Sequence, residues 1–341
     1  MAPIGSAPSE KTQVSARLRI ATRGSPLALL QAERVAGILS AVRARRDGPL
    51  AECELVIVRT RGDTEIAKPI SAIGGEGVFV KEIQQAVIDG RADVAVHSAK
   101  DLPSITPQGL ELACVPERAD PRDAIVGSHH RRPDATVDVD YVRAGNWLDD
   151  LTPGATVATG SPRRRAQLAW VRPDLTFCDL RGNIATRIGR AEEIGAGVIA
   201  MAAIERLGLT GHVSYVLEPS EMLPQVGQGA LAVECRAGDA RVLDLLAEAD
   251  DHLAHRALIA ERSWLAQLGG GCSTPVAAYA QVDDEDPGSL RLEGMIASHD
   301  GRIVLRNSAV GSDPFELGRR LALEMLAYCG ASALEEWAEN E

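Results

Sequence analysis

Aromatic residues are scarce, at 3% of a 341-residue chain. A base-stacking surface for single-stranded nucleic acid needs more of them. Lysine is rarer still, confined to Lys11, Lys68, Lys81 and Lys100. The formal net charge is -12, which disfavours nucleic acid and anionic membranes as partners. No apolar run approaches the roughly 20 residues of a bilayer span. The longest, Gly197 to Ile204, is Ala-rich and too short. Residues 1–16 are rich in Ser, Pro and Ala and lack the apolar core of a secretory signal. They are expected to form a flexible tail, and the cytoplasm is the expected location. The cysteines (53, 114, 178, 235, 272 and 329) are scattered, with no C-x-x-C pair and no zinc spacing. That excludes a disulfide framework and a zinc ribbon, and no metal is expected. What remains is ordinary for a soluble globular protein: 45% hydrophobic and 25% charged residues. The length suggests about two domains.

Short β-rich runs alternate with helical patterns. Strands are expected at 18–21, 54–59 and 94–97, with helices at 26–40 and 78–89. A second set puts strands at 156–158, 176–179 and 198–201, and helices at 162–171 and 184–193. Such alternation predicts an α/β fold with mostly parallel sheets. Between the sets, 128–153 reads as a surface excursion. The last third differs. A helix at 251–268 precedes Gly269-Gly270-Gly271-Cys272 and a strand at 276–282. Two further strands, 290–297 and 302–310, flank the hairpin signal His299-Asp300-Gly301, and Asp313-Pro314 opens a final helix.

Basic residues are unevenly placed. Arginines 163, 164, 165, 172, 181, 187 and 190 face only two acids, Asp174 and Asp179, between Val157 and Arg190. A local positive cluster in an acidic protein points to a small anionic ligand. One internal echo supports this. I-A-T-R-G-S-P at 20–26 and V-A-T-G-S-P at 157–162 both end a strand and open a helix with Ser then Pro. Ser caps helices well, and Pro suits the first helical position. The backbone N–H groups there can hold anions. Taken singly, each is also an ordinary cap. V-A-V-H-S-A-K-D-L-P at 94–103 runs a buried strand into polar residues. Ligands bind beyond the carboxyl ends of such strands, so Lys100 and Asp101 are candidates; a surface Lys–Asp loop fits that segment as well. Gly74-Gly75-Glu76-Gly77 lacks the Lys-Ser/Thr of a phosphate loop.

The motifs together resemble the porphobilinogen deaminase (hydroxymethylbilane synthase) family. They are R-I-A-T-R-G-S-P-L-A-L at 19–29, G-V-F-V-K-E at 77–82, A-D-V-A-V-H-S-A-K-D-L-P at 92–103 and D-P-R-D-A at 120–124. S-P-R-R-R-A-Q-L at 161–168, L-R-G-N-I-A-T-R at 180–187, E-R-L-G-L at 205–209, L-P-Q-V-G-Q-G-A at 223–230 and G-G-G-C at 269–272 complete the set. The resemblance implies two α/β lobes like those of periplasmic binding proteins, plus a small α+β C-terminal domain with an antiparallel sheet. It implies lobes at 17–118 plus 229–249 and at 119–228, with the third domain at 250–341.

The implied reaction joins four porphobilinogen molecules head to tail and releases ammonia. The product, hydroxymethylbilane, grows on a dipyrromethane cofactor held by a thioether to Cys272. Asp101 matches the catalytic aspartate. Arg23, Ser25, Ser98, Lys100, Thr159, Ser161, Arg163, Arg164, Arg181, Arg187, Arg206 and Gln228 match substrate- or cofactor-binding positions. Each pyrrole carries an acetate and a propionate, which suits an arginine-lined cleft. A monomer is implied. Relatives often carry lysines where Ala72 and Glu76 stand here, and Gln-Val-Pro where Ser273-Thr274-Pro275 stands. The insertion at 129–149 has no assigned role. A non-catalytic binding protein with the same cleft would leave Cys272 without a task.

Overall fold

The structure is a computed structural model describing residues 17–45, 53–60, 77, 80–127, 147–148, 151–269 and 274–328. The expected tail, Ala72 and Glu76 lie outside the described residues. So do Cys272 and the 129–149 insertion, apart from Trp147 and Leu148.

The chain begins with β1 (Leu18–Arg23), α1 (Pro26–Arg45), β2 (Cys53–Val58), α2 (Lys81–Ile88), β3 (Val94–Ser98) and β4 (Leu110–Cys114). Next come β5 (Asp123–Val126), β6 (Thr156–Ala158), α3 (Pro162–Val171), β7 (Thr176–Cys178) and α4 (Ile184–Ile194). β8 (Gly197–Ala200), α5 (Met201–Arg206), β9 (Val213–Leu217), β10 (Leu231–Arg236) and α6 (Ala240–Ala247) follow. The last elements are α7 (His252–Leu268), β11 (Val276–Val282), β12 (Leu290–Ala297), β13 (Val304–Gly311) and α8 (Pro314–Tyr328). The expected Ala-rich run at 197–204 divides into a strand and a helix, so Met201 opens α5 rather than ending β8.

Two five-stranded sheets share one plan. Their orders are β2-β1-β3-β10-β4 and β7-β6-β8-β5-β9. In each, only the fourth strand is antiparallel to its neighbours: β10 in the first, β5 in the second. The other pairs are parallel, as helical crossovers require. Helices cover both faces, so the inner strands are apolar almost throughout. Ile20, Val94 and Val96 pack against α1 and α6, while Ala21 and Ala95 pack against α2. In the second sheet Val157 and Val198 share a core with Leu168 of α3. Ala158 and Ile199 share another with Ile188 of α4 and Ile204 of α5. The two echoed Ser-Pro helix starts thus follow equivalent strands, β1 and β6.

The chain crosses between sheets twice, and the crossovers run side by side. Ala119 N donates to Gly229 O at 3.2 Å, and Arg118 Nε donates to Gln228 O at 2.9 Å. Gly229 has φ +85°, and a Cβ there would sit 2.3 Å from Ala119 O. Only glycine allows both the left-handed backbone and that approach.

The C-terminal unit packs α7 and α8 on the antiparallel sheet β11-β12-β13. Its core of Trp264, Leu292, Leu321 and Met325 also takes Val226 from the second crossover. Glu261 of α7 is fully buried. Its carboxylate accepts from Arg118 Nη1 (2.6 Å), Gly227 N (2.7 Å) and Ala280 N (2.9 Å). A buried charge is costly unless so paired. This one ties both crossovers to the third sheet.

Candidate active site

The first turn of α3 is built for anions, yet its arginines turn inward. Ser161 Oγ accepts from Arg164 N at 3.5 Å, and Pro162 takes the first helical position. Arg163 and Arg164 then meet Asp123, the first residue of β5. Arg164 donates to Asp123 Oδ1 from Nη2 (2.7 Å) and Nε (3.1 Å), and Arg163 Nη1 lies 2.8 Å from Oδ2. Gln228 Nε2 adds a bond of 2.9 Å to Oδ1. Burial alone would raise the Asp123 pKa, but the two guanidiniums outweigh it and hold the carboxyl well below the usual range. Arg163 Nη1 and Arg164 Nη1 also reach the carbonyls of Leu223 (2.7 Å) and Val198 (2.9 Å). Arg163 Nε and Nη2 are buried and find no hydrogen-bond partner among the described residues.

Across from this turn, β3 ends at Ser98, whose hydroxyl bonds the Gln31 side chain of α1 at 2.9 Å. A single 3-10 turn, Ala99–Asp101, follows. It presents Lys100 and a half-exposed Asp101. Burial pushes the Lys100 ammonium down to about 8, with Arg164 and Arg187 adding to the shift and Asp101 and Asp123 opposing it. Arg187, on α4, is pulled down by burial and Arg164, against the attraction of Asp101. Its Nε donates to Gly182 O at 2.8 Å.

One pocket brings the three units together. Lys100, Ser161, Arg163, Arg262 and Thr274 line it, with Val226 and Leu265 as apolar wall. Its volume is about 20 Å³, room for a water-sized group or the end of a carboxylate. Thr274 lies two residues past Cys272 in the sequence.

The structure thus gathers Lys100, Asp101, Ser161, Arg163, Arg164, Arg187 and Gln228 around Asp123 and this pocket. Thr159 is buried beside them, its hydroxyl accepting from Ser161 N at 3.3 Å. Arg23 and Ser25 stand at the end of β1, where Ser25 Oγ accepts from Ala28 N at 3.3 Å, much as Ser161 caps α3. Arg206 ends α5 and donates to Gly229 O at 2.7 Å; burial, with Arg34 nearby, pushes it down to about 10. Arg181 stands apart, exposed and 3.3 Å from Asp179. Sequence reading missed Asp123, Glu261 and Arg262. Asp123 lies inside the D-P-R-D-A motif, but nothing local marks it as the partner of residues some forty positions on.

Burial pushes the Cys114 thiol up to about 12 and Cys235 up to about 11, so neither is a ready nucleophile. Among the described residues no cluster of His, Cys, Asp and Glu could hold a metal ion. No helix there is long and apolar enough to cross a membrane.

Fold and pocket define a class: a two-sheet α/β protein with a C-terminal unit and a small basic pocket where the three meet. Comparison with known proteins narrows the class. Residues 18–244 match the family described as "Porphobilinogen deaminase, dipyromethane cofactor binding domain". Residues 255–327 match "Porphobilinogen deaminase, C-terminal domain". The porphobilinogen deaminase of Roseiflexus castenholzii is 45% identical over 320 residues, covering 93% of this chain and 98% of the relative. That of Bacillus velezensis is 38% identical over 327 residues, covering 95% and 97%. A periplasmic binding protein of Salmonella typhimurium gives a TM-score of 0.36 at 14% identity, over 70% of this chain and 94% of that one. The chain belongs to the porphobilinogen deaminase family.

Proposed function

We propose that this chain is a transferase that joins four porphobilinogen molecules head to tail, releases ammonia, and frees hydroxymethylbilane with water. The observation that carries the site assignment is the shared pocket. Lys100 beside Asp101, the start of α3, and α7 with Thr274 meet there. The donors fit the dipyrromethane of the family. Buried Arg163 N–H groups without partners among the described residues suit an acetate or propionate oxygen. When bound through Cys272, the group supplies the pyrrole carbon from which the product grows.

The chain's own residues do the rest. Ser161, Arg163, Lys100 and Arg187 hold carboxylates and fix orientation. Thr159, Ser98, Arg164 and Gln228 keep that lining in place, while Arg23, Ser25, Arg181 and Arg206 receive the carboxylates of arriving substrate. Each charge-assisted bond contributes about 1.5–3 kcal/mol. Asp101 faces the pyrrole N–H of the arriving substrate. Its carboxylate stabilises the positive charge that develops as the C–N bond breaks and ammonia leaves. It also takes the proton lost from carbon after the new C–C bond forms.

The units divide as 17–118 plus 229–249, 119–228 and 250–341, which the strand orders support. A cytoplasmic monomer is the assembly that the resemblance alone supports. The test is intact mass. The wild-type protein should exceed its sequence mass by two linked pyrroles, and Cys272→Ser should not. A purified wild type that shows no excess and gains none from porphobilinogen overturns the reading.

A further inference from the structure

Arg262 was no part of the expected site, yet it lines the pocket from the C-terminal unit. It is 8% exposed. Its Nη2 donates to Thr106 Oγ1 at 3.2 Å, while its Nη1 is buried with no hydrogen-bond partner among the described residues. Burial pulls its pKa down, and the attraction of Glu234 opposes that. Only one carboxylate oxygen of Glu234 is engaged, and Oε1 is buried with no hydrogen-bond partner among the described residues. Its Oε2 accepts from Gln84 Nε2 at 2.8 Å and lies 3.3 Å from His97 Nε2.

Lys100, Arg163 and Arg262 all line the pocket, and no Asp or Glu is among its described lining residues. Asp123 offsets the charge of Arg163 from behind. The described lining thus carries three cations and no acid of its own. A buried guanidinium N–H without a partner among the described residues, on a residue that lines such a space, calls for an anionic acceptor.

We propose that Arg262 is a carboxylate-binding residue of this site, holding an acetate or propionate of the pyrrole chain. The inference rests on the functional reading above and adds a residue to it. Arg262 lies on the helix that leads into Cys272. The C-terminal unit would then hold the same group twice, by a covalent bond and by a charge-assisted one. The competing role for Arg262 is a purely structural tie to Thr106 and Glu234.

The experiment uses full-length protein prepared without the group, and the variants Arg262→Met, Arg262→Lys and Thr106→Val. Porphobilinogen is added, and intact mass follows the gain of pyrrole units with time. Melting of each protein before loading is recorded, and KM and kcat are measured after it. Arg262→Met should load at least about tenfold more slowly, and Thr106→Val, which loses the same structural tie, should load at the wild-type rate. Its KM should rise more than its kcat falls, and Arg262→Lys should recover most of the loading rate. Wild-type loading by Arg262→Met overturns the proposal. So does a loading defect that follows a lowered melting temperature and is shared by Thr106→Val, because that marks the structural tie. A wild type that gains no pyrrole mass overturns the functional reading, and this inference with it.

Discussion

Asp123 on β5 and Glu234 on β10 lie on equivalent strands but at different heights, Ala200 ending β8 and Ala95 lying near the start of β3. Each lies on the inserted antiparallel strand of its sheet, fully buried. Asp123 pairs in register with Ala200 of β8, and Glu234 with Ala95 of β3. Their surroundings differ. Asp123 meets two guanidiniums and an amide. Glu234 meets the amide of Gln84 and the His97 ring, with Arg262 acting through its field. The second sheet thus uses its acid to fix arginines at the pocket. The first uses its acid to lock α2 and β10 onto β3, and displays a different acid, Asp101, at the end of that strand. One topology, used twice, yields a cation-holding half and an acid-presenting half.

Removing the displayed acid should have the largest effect. Asp101→Ala should lower kcat about 100- to 10,000-fold, the range for a lost acid–base group, while the melting temperature holds. Turnover within a few-fold of wild type would remove Asp101 from the chemistry. Next comes the buried acid of the cation-holding half. Asp123→Asn leaves Arg163 and Arg164 buried beside a neutral partner, at a cost of about 3–5 kcal/mol in urea unfolding. The pH sign follows from the depressed Asp123 pKa. Its stabilisation is present above the ordinary carboxylate range and is lost as pH falls below it. Asp123→Asn should therefore flatten the acid limb of the stability curve; an unchanged limb would contradict the pairing. Glu234→Gln replaces an acid that accepts from one amide and lies beside the His97 ring, with no guanidinium in hydrogen-bond contact among the described residues, and should cost only about 1–2 kcal/mol. Equal losses for the two variants would erase the contrast between the halves.

Elements with a strong local signal were legible. The Ser161-Pro162 start, the run over 162–171 and the strands at 276–282 and 290–297 fall where periodicity and caps put them. β4, β5, β9, β10, α5 and α6 carry no comparable signal. β5 and β10 are short buried runs whose partners lie far away in sequence. Only the family resemblance implied that the chain returns to the first lobe near Gly229. The arginine cluster was visible as composition, but its internal neutralisation was not. Nothing near Arg163 announces Asp123, because the pair is made by β5 crossing into the middle of the sheet. Glu261 was hidden likewise: its partners Arg118, Gly227 and Ala280 come from three separate segments.

Lys100 offers the finest test of the two halves, because burial lowers the pKa of this lysine on the first sheet and cations of the second add to the shift. Its ammonium sits at about 8 rather than 10.5. Between those values the unfolded chain binds a proton that the folded chain does not, so this group makes stability rise with pH across that window. Carboxylate binding has the opposite sign. An anion favours the charged ammonium and raises its pKa, so binding takes up a proton above about pH 8 and weakens as pH climbs. KM for porphobilinogen should therefore rise above that pH, by at most about tenfold per unit. Lys100→Arg keeps its charge throughout the window and should flatten the profile, with a modest loss of affinity at neutral pH from the altered fork geometry. Restoring an ordinary lysine pKa needs the opposite half. Arg187→Gln removes one of the cations that depress Lys100 and should move the rise in KM to higher pH. A wild-type KM that stays level across the window would show that Lys100 is charged there without help, and would break the link between the two sheets.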